Sequence, residues 1–129
     1  MDVDATLAKL VGRIGHLPEL SITRKFGHAS LWAADQRFAY VLVNHHDNGM
    51  VCLLVKIDAQ ERDELIESDP DRYMRPERIG RASWLSIRLD LPPIPWELLD
   101  THLVESYRRC APKRLIEQLD ESEKEEDEV

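Results

Sequence analysis

The sequence predicts an α+β domain: an antiparallel sheet, a meander plus a later strand, packed against N-terminal, middle and C-terminal helices. Three observations lead there. Short apolar runs punctuated by polar turns fill residues 31–57. Apolar stripes at helical spacing occur before that block, directly after it, and again toward the end of the chain. A further alternating run, SWLSIRLDL, follows the middle stripe instead of continuing the first block. The 129 residues suit one core and not two.

Taken in order, residues 4–16 place Leu7, Leu10, Val11 and Ile14 on one stripe, with Asp4 as N-cap and Pro18 beyond the end. Leu31 to Ala33, Phe38 to Val43 and Met50 to Ile57 are apolar, β-branched or aromatic runs separated by ADQ and HHDNG, which predicts three strands in hairpin order. Asp58 with Glu61 three residues on is a capping-box spacing. Leu65 and Ile66 give that helix its apolar edge, and Pro70 stops it. Residues 71–81 are polar and Arg-rich, a short extended piece and a loop around Gly80. In SWLSIRLDL, Leu85, Ile87 and Leu89 face one way; Trp84, Ser86, Arg88 and Asp90 face the other, so the strand has a wet face. Pro95 suits the first turn of a helix carrying Trp96, Leu99, Leu103 and Tyr107 on one stripe. Pro112 lacks an N–H and disfavours helix at Ala111, so a separate short helix, PKRLIEQL, follows.

Charge divides the chain. Residues 117–129 hold eight acids and one lysine, a net of −7, which leaves −1 of the total −8 for residues 1–116. The body, residues 1–118, is therefore a near-neutral single domain, and residues 119–129 read as an acidic, disordered tail. A sharper role for that tail is to mimic nucleic acid and compete for a basic face. No apolar run approaches the roughly 20 residues of a membrane span, and the first residues lack a signal peptide's basic region, so a cytoplasmic protein with no membrane partner is expected. Cys52 and Cys110 stand alone, without a CxxC or Cys/His ladder, and read as reduced thiols.

Four groups of residues bear on chemistry. His45 and His46 precede Asn48-Gly49, a strong hairpin signal. Adjacent strand residues face opposite ways, so a turn outweighs a metal site there, and no metal or cofactor is expected. His28 and Ser30 could act as base and nucleophile, or form a small-ligand pocket, but no elbow glycines or orienting acid accompany them. Arg75, Arg78 and Arg81 recur three residues apart ahead of Trp84 and Arg88, a set suited to phosphates and base stacking. The alternative is a solvated loop whose arginines pair with Asp71, Glu77 and Asp90. Lys113 and Arg114 stand in the first turn of a helix, where the dipole disfavours cations; an anionic partner or an ion pair to Glu117 or Asp120 would favour them.

Four pieces in order, LPE after the first helix, KFGHASLW with RFAYVLV, RASWLSIRLD, and SYRRCAPKRL, together resemble the MmcQ/YjbR-like family over roughly residues 5–118. Gly27, His28, Ser30, Trp84 and the Ala111–Leu115 ending match its pattern, while Ala29 stands where a proline is common. The resemblance implies a frataxin-like, double-wing α+β fold, and members are commonly described as DNA-binding. The expected function is therefore non-enzymatic, weak and salt-dependent binding of DNA or another polyanion through Arg75, Arg78, Arg81, Trp84, Arg88, Lys113 and Arg114. The rival is a protein-interaction or homodimerisation module with Trp84 at its patch.

Overall fold

Alternation along the strands decides which side of the sheet is covered. The computed structural model describes residues 1–76 and 83–127. Its elements are α1 (Val3–Arg13), β1 (Leu20–Lys25), β2 (His28–Ala33), β3 (Gln36–Val43), β4 (Val51–Lys56), α2 (Ala59–Ser68), β5 (Tyr73–Met74), β6 (Trp84–Arg88), α3 (Trp96–Cys110) and α4 (Lys113–Asp127). The strands form one antiparallel sheet in the order β1-β2-β3-β4-β6-β5. The expected α+β class and its antiparallel sheet with helices are thus present.

On one side, Ala29, Leu31, Val41, Leu53, Val55, Leu85 and Ile87 join Leu7, Leu10 and Ile14 of α1, Leu99, Leu103 and Tyr107 of α3, and Leu115 and Leu119 of α4 in a single core. On the other side, Cys52, Leu54 and Trp84 form a smaller cluster with Tyr40, Leu42, Met50 and Met74, to which, among the described residues, no helix contributes. Period two in the strands thus sorts the chain into a helix-covered face and an open face.

Helix α3 is locked to the sheet by polar groups as well as by its stripe. The register pairs Leu31 with Ala39 but Trp32 with Arg37, so Phe38 is the extra residue of a bulge. Its ring turns into the core against Tyr107, edge to face at 5.3 Å. Where the β3–β4 ladder ends, the Ser106 hydroxyl enters: the Lys56 N–H donates to it at 2.8 Å, and it donates to the Phe38 carbonyl at 2.6 Å. The Tyr107 hydroxyl donates to the Pro18 carbonyl at 2.6 Å, tying α3 to the chain entering β1.

Five expectations change. Trp84 and Ser86 are buried, 8% and 4% exposed, because the small cluster encloses the side that alternation alone marks as wet. The Asn48-Gly49 signal does lie in a hairpin, but as a seven-residue loop from Asn44 to Met50 containing a 3-10 turn, with Asn48 in the right-handed region. Asp2, not Asp4, caps α1, accepting the Ala5 N–H at 3.0 Å. Helix α4 continues to Asp127 through the segment whose charge predicts fraying; Leu119 is buried, and Arg108 of α3 pairs with Asp120 and Glu123 at 2.7 and 2.9 Å. Strand β1 has no counterpart in the sequence reading, whereas β5 is the short extended piece expected after residue 71. Among the described residues no helix is long and apolar enough to cross a membrane.

Candidate nucleic-acid interface

Two hairpins bring their tips to the same end of the sheet. In the first, Lys25 pairs with His28, leaving a two-residue turn of Phe26 and Gly27 with φ of 53° and 82°. Both angles belong to the tight turn that matches strand twist, normally Asn-Gly or Gly-Gly. Phenylalanine there is strained, and the residue is 87% exposed with the Lys25 ammonium 5.4 Å from its ring centroid. In the second hairpin, the Asn44 side chain accepts the Gly49 N–H at 2.7 Å and the Asn48 side chain accepts the Met50 N–H at 2.9 Å, which shapes the loop.

The tips meet through histidines. The rings of His28 and His45 lie 5.5 Å apart, and those of His45 and His46 4.0 Å apart. His28 Nδ1 accepts the Val43 N–H at 3.0 Å, closing the end of the β2–β3 ladder. Burial, and secondarily the neighbouring His45, push the His28 pKa below its ordinary value, so the ring stays neutral and keeps the lone pair this bond needs.

Beside the second tip the open face sinks into a cleft of about 360 Å³. Leu42, Cys52, Leu54 and Ser86 belong to its floor strands, the loop contributes His45, His46, Asn48 and Met50, and Met74, Arg75 and Pro76 complete the lining. Apolar walls with a few polar groups at the rim are the ordinary composition of a small-ligand pocket. Burial pushes the Cys52 thiol pKa up, so it is protonated and lines the cleft as a small apolar group. Farther along the same face, the Arg37 guanidinium lies 4.5 Å from the Trp32 ring centroid and 4.9 Å from that of Tyr40, and Tyr40 meets Trp84 edge to face at 5.3 Å. This row is a stacking platform with one exposed cation in it.

Among the described residues, the arginines singled out in the sequence are each engaged by an acid. Arg75 reaches the cleft while bonded to both carboxylate oxygens of Asp63 at 3.0 and 3.1 Å. Hydrogen bonds from Arg62 first, and then Arg75, hold the Asp63 carboxyl below the usual carboxylate range. Arg88 is taken up by Asp90 at 2.7 Å, as the solvated-loop alternative anticipates, and Arg114 by Glu19 across α4 and the β1 approach. Lys113 is exposed, with Glu117 3.9 Å away. Arg78 and Arg81 lie outside the described residues. Trp84 is too enclosed to stack on a base or to anchor a protein contact. Among the described residues no hydrogen bond joins His28 to Ser30, and the His28 lone pair is committed to the backbone, which removes the base from that pair.

Sequence reasoning misses Phe26, the Trp32–Arg37–Tyr40 row, and Met50 and Met74. Only Phe26 leaves a signal, an aromatic before glycine in KFGH where a turn favours small or polar residues.

The family model described as YjbR matches residues 16–109. Among solved structures, the crystal structure of Deinococcus radiodurans protein DR2400, with a DUF419 domain, is similar at 20% identity and a TM-score of 0.62, covering 78% of this chain and 75% of that one. At that identity the likeness concerns the fold alone. Comparison with curated proteins gives no match.

Proposed function

The chain belongs to the YjbR family, and for it we propose a non-enzymatic role: weak binding of single-stranded nucleic acid across the open face of the sheet. The cleft carries this reading, because it lies on the face to which, among the described residues, no helix contributes, while the strained, exposed Phe26 and the aromatic row holding Arg37 lie to one side of it in the β1 to β3 segment. A nucleobase needs flat apolar contact and a few hydrogen-bonding groups, which Leu42, Leu54, His45, His46 and Asn48 supply. Neighbouring bases stack on Phe26 or on the Trp32–Arg37–Tyr40 row, each stack worth about 1–3 kcal/mol. Lys25, Arg37 and Arg75 meet the phosphates. A paired duplex does not present its base faces, so single strands are preferred.

Relative to the sequence expectation, the polyanion stays and the surface moves. The binding face shifts from Trp84, Arg88, Lys113 and Arg114 to the hairpin tips and cleft, with Arg75 common to both. A near-neutral body gives little long-range attraction, so binding is weak. Fluorescence anisotropy of a labelled oligonucleotide tests the proposal. Three phosphate contacts at about 0.7 released counterion each give a slope near −2 of log K against log salt. Single strands should bind more tightly than duplex of the same sequence. Absence of binding at 20 to 50 mM salt, or equal binding of duplex, overturns the proposal.

A further inference from the structure

On the helix-covered side, α2 and α3 bring together three groups that the nucleic-acid reading does not use. A ring nitrogen of His102 and one carboxylate oxygen from each of Glu61 and Glu105 all lie within 4.8 Å of one another. His102 and Glu105 are three residues apart on α3, so their side chains leave the helix as neighbours. Glu61 sits in the first turn of α2, which Asp58 fixes by accepting the Glu61 N–H at 3.2 Å.

Independent of this cluster is the state of the imidazole. His102 is 4% exposed, yet its Nε2 has no hydrogen-bond partner. Buried polar atoms in native proteins are almost always bonded, so an orphan calls for a missing partner. The two glutamates are exposed, and among the described residues neither takes part in an ion pair.

We propose that Glu61, His102 and Glu105 form a binding site for a first-row divalent cation, with Zn²⁺ the best fit. One imidazole nitrogen and two carboxylates make three protein ligands and leave a fourth position for water. The nitrogen disfavours Ca²⁺ and Mg²⁺, which prefer all-oxygen shells. Ligand bonds of about 2.0–2.1 Å place tetrahedral donors roughly 3.4 Å apart. The glutamates must therefore swing inward by about 1 Å, which long exposed side chains do readily, while the packed His102 stays fixed. A bound ion would clamp the start of α2 to the middle of α3 and would meet two negative charges now close together.

The test is Zn²⁺ titration of the metal-stripped full chain, followed by calorimetry and by thermal unfolding with and without the ion. One ion should bind per chain and raise the melting temperature. The double variant Glu61→Gln/Glu105→Gln alters only exposed groups and should fold as the parent does, checked by its metal-free melting curve. Loss of even an outer partner weakens metal sites 10 to 100-fold, so losing two ligands should weaken binding by at least about 100-fold. A His45→Ala/His46→Ala variant should bind Zn²⁺ as the parent does, which separates this site from the hairpin loop. No binding at millimolar Zn²⁺, unchanged binding by the double glutamine variant, or loss of binding in the His45/His46 variant each overturns the proposal.

Discussion

Ser106→Ala removes one oxygen from a fully buried position and leaves two backbone groups without a partner. In the native chain the hydroxyl takes the Lys56 N–H at 2.8 Å and gives its proton to the Phe38 carbonyl at 2.6 Å, bridging β3 and β4 where their direct ladder has ended. Each orphaned buried group costs about 1–3 kcal/mol. Alanine returns about 0.5 kcal/mol of helix propensity. The strand ends can drift together and recover part of the rest, so the net loss should be about 2–4 kcal/mol. At roughly 2.1 cal/mol/K of unfolding entropy per residue, a chain of this size loses about 3–4 °C per kcal/mol, hence a fall of about 6–16 °C in melting temperature. Urea unfolding followed by circular dichroism measures the free energy, and a thermal scan measures the shift. Tyr107→Phe is the internal standard: it orphans only the Pro18 carbonyl and should cost about 1 kcal/mol. A loss below 1 kcal/mol for Ser106→Ala, or one smaller than that of Tyr107→Phe, would refute the bridging role.

Replacing Phe26 by asparagine relieves a left-handed backbone cost of about 1–2 kcal/mol and should stabilise the protein by about 1 kcal/mol in urea. The same change should weaken oligonucleotide binding by about tenfold through lost stacking; a variant neither more stable nor weaker in binding contradicts both halves. Stability should fall in two stages with acid. His28 has its pKa lowered, so its contribution is complete above the ordinary value of about 6.5 and is lost as pH falls through the folded value, with the Val43 bond breaking. Asp90 is held low chiefly by the Arg88 hydrogen bond, so its contribution persists to about pH 4 and is lost only below that. Melting temperatures from pH 8 to 3 should show both stages; buried His102, its pKa lowered likewise, shares the first, so His28→Asn should reduce that stage without erasing it.

The parts of the fold that were legible are those in which one side of an element meets the core and the other meets water. Leu7, Leu10 and Ile14, and likewise Leu99, Leu103 and Tyr107, declare their helices because a single stripe is buried. Strand β1, LSITRK, lies at the sheet edge with only Leu20 and Ile22 partly buried, so its pattern is thin. The two residues of β5 are too few to show any period. Trp84 was misplaced because alternation assigns a side and cannot say whether that side is wet; here Tyr40, Cys52 and Leu54 enclose it. For Arg88 and Arg114 the reason is related: charge type is visible in the sequence, whereas the partners Asp90 and Glu19 are set by the fold. The cleft was invisible because its walls come from β3, the loop after it, β4, the segment around Met74, and β6.

Amide shift mapping by NMR with a short single-stranded oligonucleotide at low salt tests the proposed interface most directly. Resonances of residues 25–28, 44–50 and 74–76 should move together and saturate with one binding curve, while those of Lys113 and Arg114 stay in place. Shifts confined to α3 and α4, or none up to millimolar oligonucleotide, would contradict binding across the open face.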